Sequence, residues 1–164
     1  MEFILLNEDD LPSVLSFLKN SAIWLREKEI DYWQNWHDPP KPHVNWVQEG
    51  LRMQQFYLVR KDNKDIGIFR LQYEDERFWG KRDDNAGYIH SFTVSRELSG
   101  QGWGYRILAA IETLLKHNGY EYMRLDCSTQ IEGLKNYYKK FGFKETGSAV
   151  VGGEDVTLME KKII

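Results

Sequence analysis

The chain has 164 residues, a formal net charge of −3 and a hydrophobic fraction of 41%. This length predicts a single domain over residues 1–164, and the apolar fraction is too high for a disordered chain. The balanced charge argues against a nucleic-acid partner, and no apolar run is long enough to cross a membrane. An acidic N-terminal stretch and a single cysteine, Cys127, predict a cytoplasmic protein without disulfides.

The first third of the chain predicts one strand followed by two helices. Phe3–Leu6 is a short apolar run. Asn7 is the expected N-cap of a helix whose apolar positions recur to about Glu29. Three prolines within His37–Pro42 exclude both helix and central strand from that segment, and a shorter helix follows it.

The rest of the chain alternates between strand and helix patterns. Two strands, Gln55–Arg60 and Ile66–Tyr73, flank a short turn, and the charged segment Glu74–Asn85 predicts a longer hairpin loop. The later elements are a strand at Tyr88–Val94, a helix from about Trp103 to Lys116, a strand at Tyr122–Cys127, a helix at Leu134–Phe141 and two strands within Lys144–Glu160. The order β-α-α-β-β-β-α-β-α-β-β predicts an α/β fold with a mixed, mostly antiparallel central sheet flanked by helices.

Three alternating glycines, Gly100, Gly102 and Gly104, lie between the Tyr88–Val94 strand and the next helix. Glycine permits a positive φ and lets the backbone approach a ligand closely. The start of a helix adds unpaired N–H groups and a partial positive charge. Together these features predict a phosphate or pyrophosphate site, and the alternative is a turn that uses glycine for tight packing.

Two common phosphate-binding folds do not fit this turn. A dinucleotide fold needs a third glycine where Tyr105 or Ile107 stands, although Asp126 ends the next strand at a suitable distance for a ribose contact. A P-loop needs a Lys-Ser or Lys-Thr pair after the turn, and this sequence has none.

The sequence resembles instead the GNAT superfamily of acetyl-CoA-dependent N-acetyltransferases. Ser99–Gly104 matches both glycines of the family's pyrophosphate loop, and Tyr138–Phe143 is similar to its Tyr-x-Lys-x-Gly-Phe segment. The resemblance covers most of the chain from about Gln55. It implies acetyl-CoA as co-substrate, no metal, and direct attack on the thioester by a primary amine of a small molecule or peptide. It leaves open whether the protein forms a homodimer.

The resemblance also implies where the cofactor binds. In the family, the backbone of the strand that ends here at Val94 holds the pantetheine arm, and the glycine loop holds the pyrophosphate. The predicted cofactor-binding residues are Phe92, Thr93, Val94, Ser99, Gly100, Gln101, Gly102, Trp103, Gly104 and Tyr105. Two positions depart from the family pattern: Ser99 replaces an Arg or Gln, and Ile131 replaces an Asn that contacts the cofactor arm in many relatives.

Two residues are the catalytic candidates. Tyr138 matches the tyrosine that lies near the thioester sulfur in the family, where a phenol can protonate the leaving thiolate; the alternative is a packing residue of its helix. His90 precedes Phe92 and Val94 on one strand, and alternation predicts the same face for all three. His90 is therefore a candidate general base, directly or through water, and the alternative is a buried structural histidine. Cys127 has no nearby histidine in sequence and is not proposed as a nucleophile.

Acidic and aromatic residues are candidates for the acceptor site. Glu74–Glu76 and Asp83–Asp84 offer negative charge to a cationic amine, and the alternative is a solvated loop. Four of the six tryptophans, Trp24, Trp33, Trp36 and Trp46, lie in the family's acceptor-side region, and the alternative is core packing. A rival function is a non-catalytic acyl-CoA sensor or interaction module, which the departures at Ser99 and Ile131 keep open.

Overall fold

The computed structural model describes residues 1–164. In chain order its strands are β1 (Glu2–Leu5), β2 (Phe56–Lys61), β3 (Lys64–Gln72), β4 (Ala86–Val94), β5 (Tyr122–Ser128), β6 (Lys144–Val151) and β7 (Glu154–Lys162). Its α-helices are α1 (Leu11–Glu27), α2 (Lys41–Arg52), α3 (Glu76–Trp79), α4 (Trp103–His117) and α5 (Glu132–Phe141). None of them combines the length and apolar character that crossing a bilayer requires.

The strands follow one another in the order β1-β2-β3-β4-β5-β7-β6. Strands β4 and β5 run parallel, whereas β1–β2, β2–β3, β5–β7 and β6–β7 are antiparallel. This topology confirms the predicted mixed, mostly antiparallel α/β fold. The chain divides into two compact units, the first formed by Met1–Arg70 and Ser91–Gly104, the second by Leu71–His90 and Tyr105–Ile164.

The first unit contains α1 and α2, whose apolar faces share one core with β2 and β3. This core contains Leu6, Val14, Leu18, Ala22, Trp36, Val47, Leu51, Phe56, Leu58 and Ile68. Asn7 is an N-cap as predicted, but of the 3-10 turn Glu8–Asp10 and not of α1: its side chain accepts the N–H of Asp9 at 2.9 Å while Asp10 accepts the N–H of Asn7 at 2.9 Å. Helix α1 begins after Asp10, which makes no side-chain cap bond. The expected exclusion of helix up to Pro42 is wrong, because α2 begins at Lys41. Proline is tolerated there because the first turn of a helix leaves its N–H groups unpaired.

The second unit is built on β4, β5, β7 and β6. Residues Ala86 to Ile89 pair with Tyr122 to Leu125, and the parallel ladder ends there. Helix α4 approaches β4 closely at Gly87, where a Cβ would overlap the side chain of Leu115. The predicted strands and long helices of this unit are all present, with ends within two residues of expectation.

The segment Glu74–Asn85 is not the plain loop that its charge predicts. It contains the single turn α3, and its Trp79 is buried among residues of β4 and β7. The buried Arg124 binds Asp84 through both carboxylate oxygens and also binds Glu160 at 2.7 Å. A buried guanidinium with two carboxylate partners fixes the end of this segment, so the interpretation as a fully solvated loop is wrong for Asp84.

Candidate active site

The glycine loop of the first unit has the backbone that its sequence predicts. Gly100 and Gly102 have φ of 76° and 75°, and no atom lies within 4 Å of the point where a Cβ of either would stand. Positive φ explains why glycine is needed, and the open space shows that packing does not. Helix α4 begins at Trp103, directly after the loop. The loop therefore offers backbone N–H groups and open space that fit a pyrophosphate.

Side chains around this loop support it rather than fill it. The N–H of Gln101 donates to the carbonyl of Leu98 at 3.3 Å, and its side-chain amide donates to the carbonyl of Glu97 at 3.3 Å. Within the same unit the ammonium of Lys61 lies 5.6 Å from the centre of the Trp103 ring. In the second unit the Tyr105 hydroxyl donates to the carbonyl of Tyr137 at 2.9 Å. These contacts hold the loop and its flanks in place without side chains entering the open space at Gly100 and Gly102.

Strand β4 changes character at Ser91, whose φ of 49° lies in the left-handed region. A left-handed residue inside a strand interrupts the alternation of side chains between the two faces. The expectation that His90 shares a face with Phe92 and Val94 rested on that alternation, and this spacing argument fails at Ser91. The surroundings of His90 and Thr93 are therefore defined by their contacts and not by strand alternation.

Thr93 has a structural side chain. Its hydroxyl is hydrogen-bonded to Ser21 of α1, and the guanidinium of Arg96 donates to Thr93 at 3.2 Å and to Ser21 at 3.1 Å. Arg96 also lies 4.8 Å above the ring of Trp24 and has no carboxylate within 4 Å. Burial lowers the pKa of this guanidinium. The side chain of Thr93 thus links the first unit's own elements.

Tyr138 is buried in the second unit. Its ring meets those of Tyr137 and Phe143 edge-on, with centroids 5.4 and 5.8 Å away. Gly142, with φ of 103°, ends α5, and the N–H of Phe143 donates to the Tyr138 carbonyl at 3.1 Å. These contacts hold the Tyr138 phenol in one orientation, as both a packing role and an acid role require.

His90 lies between two buried carboxylates. Its Nε2 is 2.9 Å from Oδ2 of Asp75, and its Nδ1 is 3.3 Å from Oδ1 of Asp126. The ring of Phe78 covers it at 4.9 Å. Burial raises the pKa of the Asp126 carboxyl to about 6; the charge of His90 lowers it and that of Asp75 raises it further. We call these three residues the carboxylate–histidine cluster.

Sequence reasoning identified only part of this cluster. His90 was a candidate base and Asp75 one of several acids, whereas Asp126 was considered only for a ribose contact. Asp126 is 36 residues from His90 in sequence, so no local motif could pair them. The available signal was the register, because Ile89 pairs with Leu125 and the next residues are His90 and Asp126.

The other candidates differ in their surroundings. Trp36 is part of the buried core of the first unit, while Trp33 and Trp46 pack against that core and Trp24 contacts Arg96. Core packing therefore accounts for Trp36. Burial raises the pKa of the Cys127 thiol to about 12, which makes it a poor nucleophile.

Residues 20–143, three quarters of the chain, match the Acetyltransferase (GNAT) family. The chain belongs to the GNAT family. This acetyltransferase is 26% identical over 166 residues to the uncharacterized N-acetyltransferase YesJ of Bacillus subtilis (strain 168), with 94% of this chain and 86% of that protein covered. The family establishes acetyl transfer from acetyl-CoA as its general activity and favours the enzyme over the non-catalytic sensor.

Solved structures show the same fold for this GNAT acetyltransferase. A GNAT acetyltransferase of Listeria monocytogenes 4b F2365 aligns with a TM-score of 0.76 and 22% identity, covering 99% of this chain and 95% of that one. The acetyltransferase AAC(6')-Ib, solved with ribostamycin and coenzyme A, aligns with a TM-score of 0.74 and 19% identity, covering 98% of this chain and 92% of that one.

Proposed function

We propose that this enzyme transfers the acetyl group of acetyl-CoA to a primary amine of a small molecule or peptide, by direct attack of the amine on the thioester. The observation that carries the proposal is the pair Gly100 and Gly102, which have left-handed backbone and open space directly before α4. Such a turn suits a diphosphate and serves no packing purpose here. The raised pKa of the buried Cys127 thiol supports a mechanism without a covalent enzyme intermediate.

The cofactor is held mainly by backbone in this proposal. The N–H groups of the loop from Gly100 to Gly104, other than that of Gln101, bind the pyrophosphate, and the backbone of Phe92 to Val94 binds the pantetheine arm. Two observations support this assignment: the side chain of Thr93 is bound to Ser21 and Arg96, and the ladder with β5 ends before this part of β4. Because backbone groups carry the binding, Ser99 in place of Arg or Gln reshapes the site without removing it.

The reaction needs a base, a polarised carbonyl and an acid. In the proposed mechanism the amine gives a proton to His90, directly or through water, and its nitrogen forms a bond to the thioester carbonyl carbon. A backbone N–H near Val94 stabilises the negative charge that develops on the carbonyl oxygen. The carbon–sulfur bond then breaks, and Tyr138 donates its phenolic proton to the departing thiolate. The second proton of the amine nitrogen leaves as the amide forms and returns the Tyr138 phenolate to the phenol, directly or through water.

The acceptor is a cationic amine in this proposal. The chain carries a net charge of −3 and a buried pair of carboxylates beside His90, which suit a positive rather than a negative acceptor. AAC(6')-Ib, which shares the fold, has been solved with ribostamycin. That neighbour supports testing amine-rich small molecules first.

Two assays test the proposal. Acetyl-CoA should raise the melting temperature of the protein, and free thiol should be released when acetyl-CoA is mixed with amines from a panel of small molecules, amino acids and peptides. Binding without thiol release from any amine would favour an acyl-CoA sensor. An unchanged melting temperature together with no thiol release would overturn the proposal.

A further inference from the structure

We propose that Asp75, His90 and Asp126 act as one proton acceptor, in which Asp75 positions His90 and the proton taken from the amine is shared between His90 Nδ1 and Asp126 Oδ1. This inference rests on the proposed function and makes it more specific. It differs from a histidine acting alone, because both ring nitrogens of His90 face carboxylates.

Asp75 determines the tautomer of His90. A carboxylate oxygen only accepts hydrogen bonds when ionised, so the contact of 2.9 Å to Asp75 Oδ2 requires that Nε2 carries a proton. The other oxygen of Asp75 accepts the N–H of Phe78 at 3.4 Å, as the N-cap of α3. Asp75 is therefore fixed from two sides, and it leaves Nδ1 as the ring nitrogen that can accept a proton.

Nδ1 and Asp126 together form a place for one proton. Oδ1 of Asp126 is fully buried and has no hydrogen-bond partner, yet it lies 3.3 Å from Nδ1. Without a proton, a nitrogen lone pair would face a carboxylate oxygen across this distance, which costs free energy in a buried site. A proton between these two atoms removes that cost. The pair is therefore a site that can take up one proton from the amine.

No neighbouring cation neutralises the two carboxylates of the cluster. Neither Asp75 nor Asp126 has a Lys or Arg within 4 Å. The nearest cation on β5, Arg124, is bound to Asp84 and Glu160, and Arg77 on α3 lies 5.7 Å from the centre of the Phe78 ring. Of the three cluster side chains Asp126 is the most exposed, at 13% against 7% for His90 and 4% for Asp75. A proton therefore enters at Asp126.

The step transfers one proton from the amine to the carboxylate–histidine cluster. Before the step both carboxylates are ionised and His90 is neutral, so the cluster carries a charge of −2. A protonated amine donates one proton to the pair formed by Nδ1 and Oδ1, directly or through one water, and becomes the neutral nucleophile. The cluster then carries a charge of −1, and it releases the proton to solvent before the next turnover.

The first test uses the protein without substrate. Nitrogen-15 NMR of the imidazole rings should show a His90 Nε2 that stays protonated from pH 5 to 9 and an Nδ1 that titrates, with the exposed His117 as internal reference. Asp126→Asn and Asp75→Asn should each move the His90 midpoint to lower pH, because each removes a nearby negative charge. An Nδ1-protonated tautomer, or a midpoint that neither variant moves, would overturn the proposal.

The second test is the pH profile of kcat/KM with acetyl-CoA and the best amine of the panel. Asp126→Asn should lower kcat/KM by about 10²–10⁴-fold, the usual contribution of a general base. Asp75→Asn keeps an acceptor for Nε2–H and a good N-cap, so it should fold, and should shift the acid limb to lower pH by about one unit. Asp155→Asn, the same change at an exposed site of this unit, should leave the profile unchanged.

These outcomes separate the inference from the proposed function. If no amine supports turnover, the proposed function fails, and the NMR titration still decides whether the cluster shares a proton. If turnover occurs but Asp75→Asn leaves the acid limb in place, Asp75 is only a helix cap and the inference is wrong. If Asp126→Asn retains full activity, the proton does not enter at Asp126, and the inference is also wrong.

Discussion

At the level of single residues, a substitution at Gly102, whose backbone is left-handed, should affect stability and coenzyme A binding to different extents. Gly102→Val should cost about 1–2 kcal/mol of stability, because a side chain at positive φ is strained. It should also weaken coenzyme A binding at least about 100-fold, because the side chain fills the open space before α4 and at least two charge-assisted hydrogen bonds, at ~1.5–3 kcal/mol each, are lost. Calorimetric titration and thermal unfolding measure the two effects.

Gly153 provides a matched control for this change. It has φ of 81°, equally open surroundings and a place in the turn between β6 and β7. Gly153→Val should therefore lower stability by a similar amount and leave coenzyme A binding unchanged. If Gly102→Val binds coenzyme A as tightly as Gly153→Val does, the pyrophosphate lies elsewhere.

The second residue-level prediction concerns the proton that reaches the leaving thiolate. Tyr138→Phe keeps the edge-on ring contacts but removes the phenol, so kcat should fall by about 10²–10⁴-fold while KM for acetyl-CoA changes little. Tyr137→Phe is the matched control: burial raises the pKa of Tyr137 to about 12, so this phenol is a poor proton donor. Equal steady-state rates for the two variants would contradict an acid role for Tyr138.

At the level of elements, the sequence predicted those caps and helix ends that depend only on residues close together in the chain. Asn7 caps the 3-10 turn that leads into α1, and Gly142 ends α5 in the left-handed conformation that C-terminal glycines provide. Helix α3 was missed because its four residues are too few for a hydrophobic period and its sequence is mostly charged. Its stability comes from tertiary burial of Trp79, which periodicity cannot report.

The same limit applies to the candidate site, of which only the contiguous motifs could be predicted. The glycine loop and the Tyr138 segment are contiguous motifs, so the sequence alone was enough to propose both as candidates. The carboxylate–histidine cluster combines three separate elements, so it depends on strand register and on the anchored segment before β4. The interruption of side-chain alternation along β4 at Ser91 could not be predicted either, because no sequence pattern marks a serine with left-handed backbone.

The packing of α4 on β4 gives a prediction at this scale. A Cβ at Gly87 would overlap the side chain of Leu115, which is completely buried. Gly87→Ala should therefore lower the free energy of unfolding by about 1–3 kcal/mol, as overpacking does. Leu115→Val removes the overlapping atoms, so a double-mutant cycle in urea should show the two changes compensating each other. Additive effects would mean that the helix moves away from the strand instead.

At the level of the whole molecule, each unit contains an arginine that joins its own elements. In the first unit Arg96 joins Ser21 and Thr93, and in the second unit Arg124 joins Asp84 and Glu160. Arg124 has carboxylate partners, and truncating it would leave two charges without their ion pair. The charge of Arg124 is thus neutralised where it holds the structure together, whereas Asp126 has no Lys or Arg within 4 Å.

Asp126 should therefore make stability depend on pH. Burial raises the pKa of its carboxyl to about 6 in the folded chain, from 3.8 when unperturbed. The folded state then binds more protons than the unfolded state between these values, so stability falls as pH rises through this range. Above pH 6 the ionised carboxylate costs about 2–3 kcal/mol. Asp126→Asn removes this cost, while the same change lowers turnover.

Urea unfolding at pH 4, 5, 6 and 7 measures this effect. Wild type should lose about 2–3 kcal/mol relative to Asp126→Asn between pH 4 and 7, and Asp155→Asn should follow the wild-type curve. A gain in stability at neutral pH combined with a loss of turnover is the signature of a charge retained for chemistry. Parallel curves for wild type and Asp126→Asn would show instead that Asp126 is ionised equally in both states, and that its burial serves packing alone.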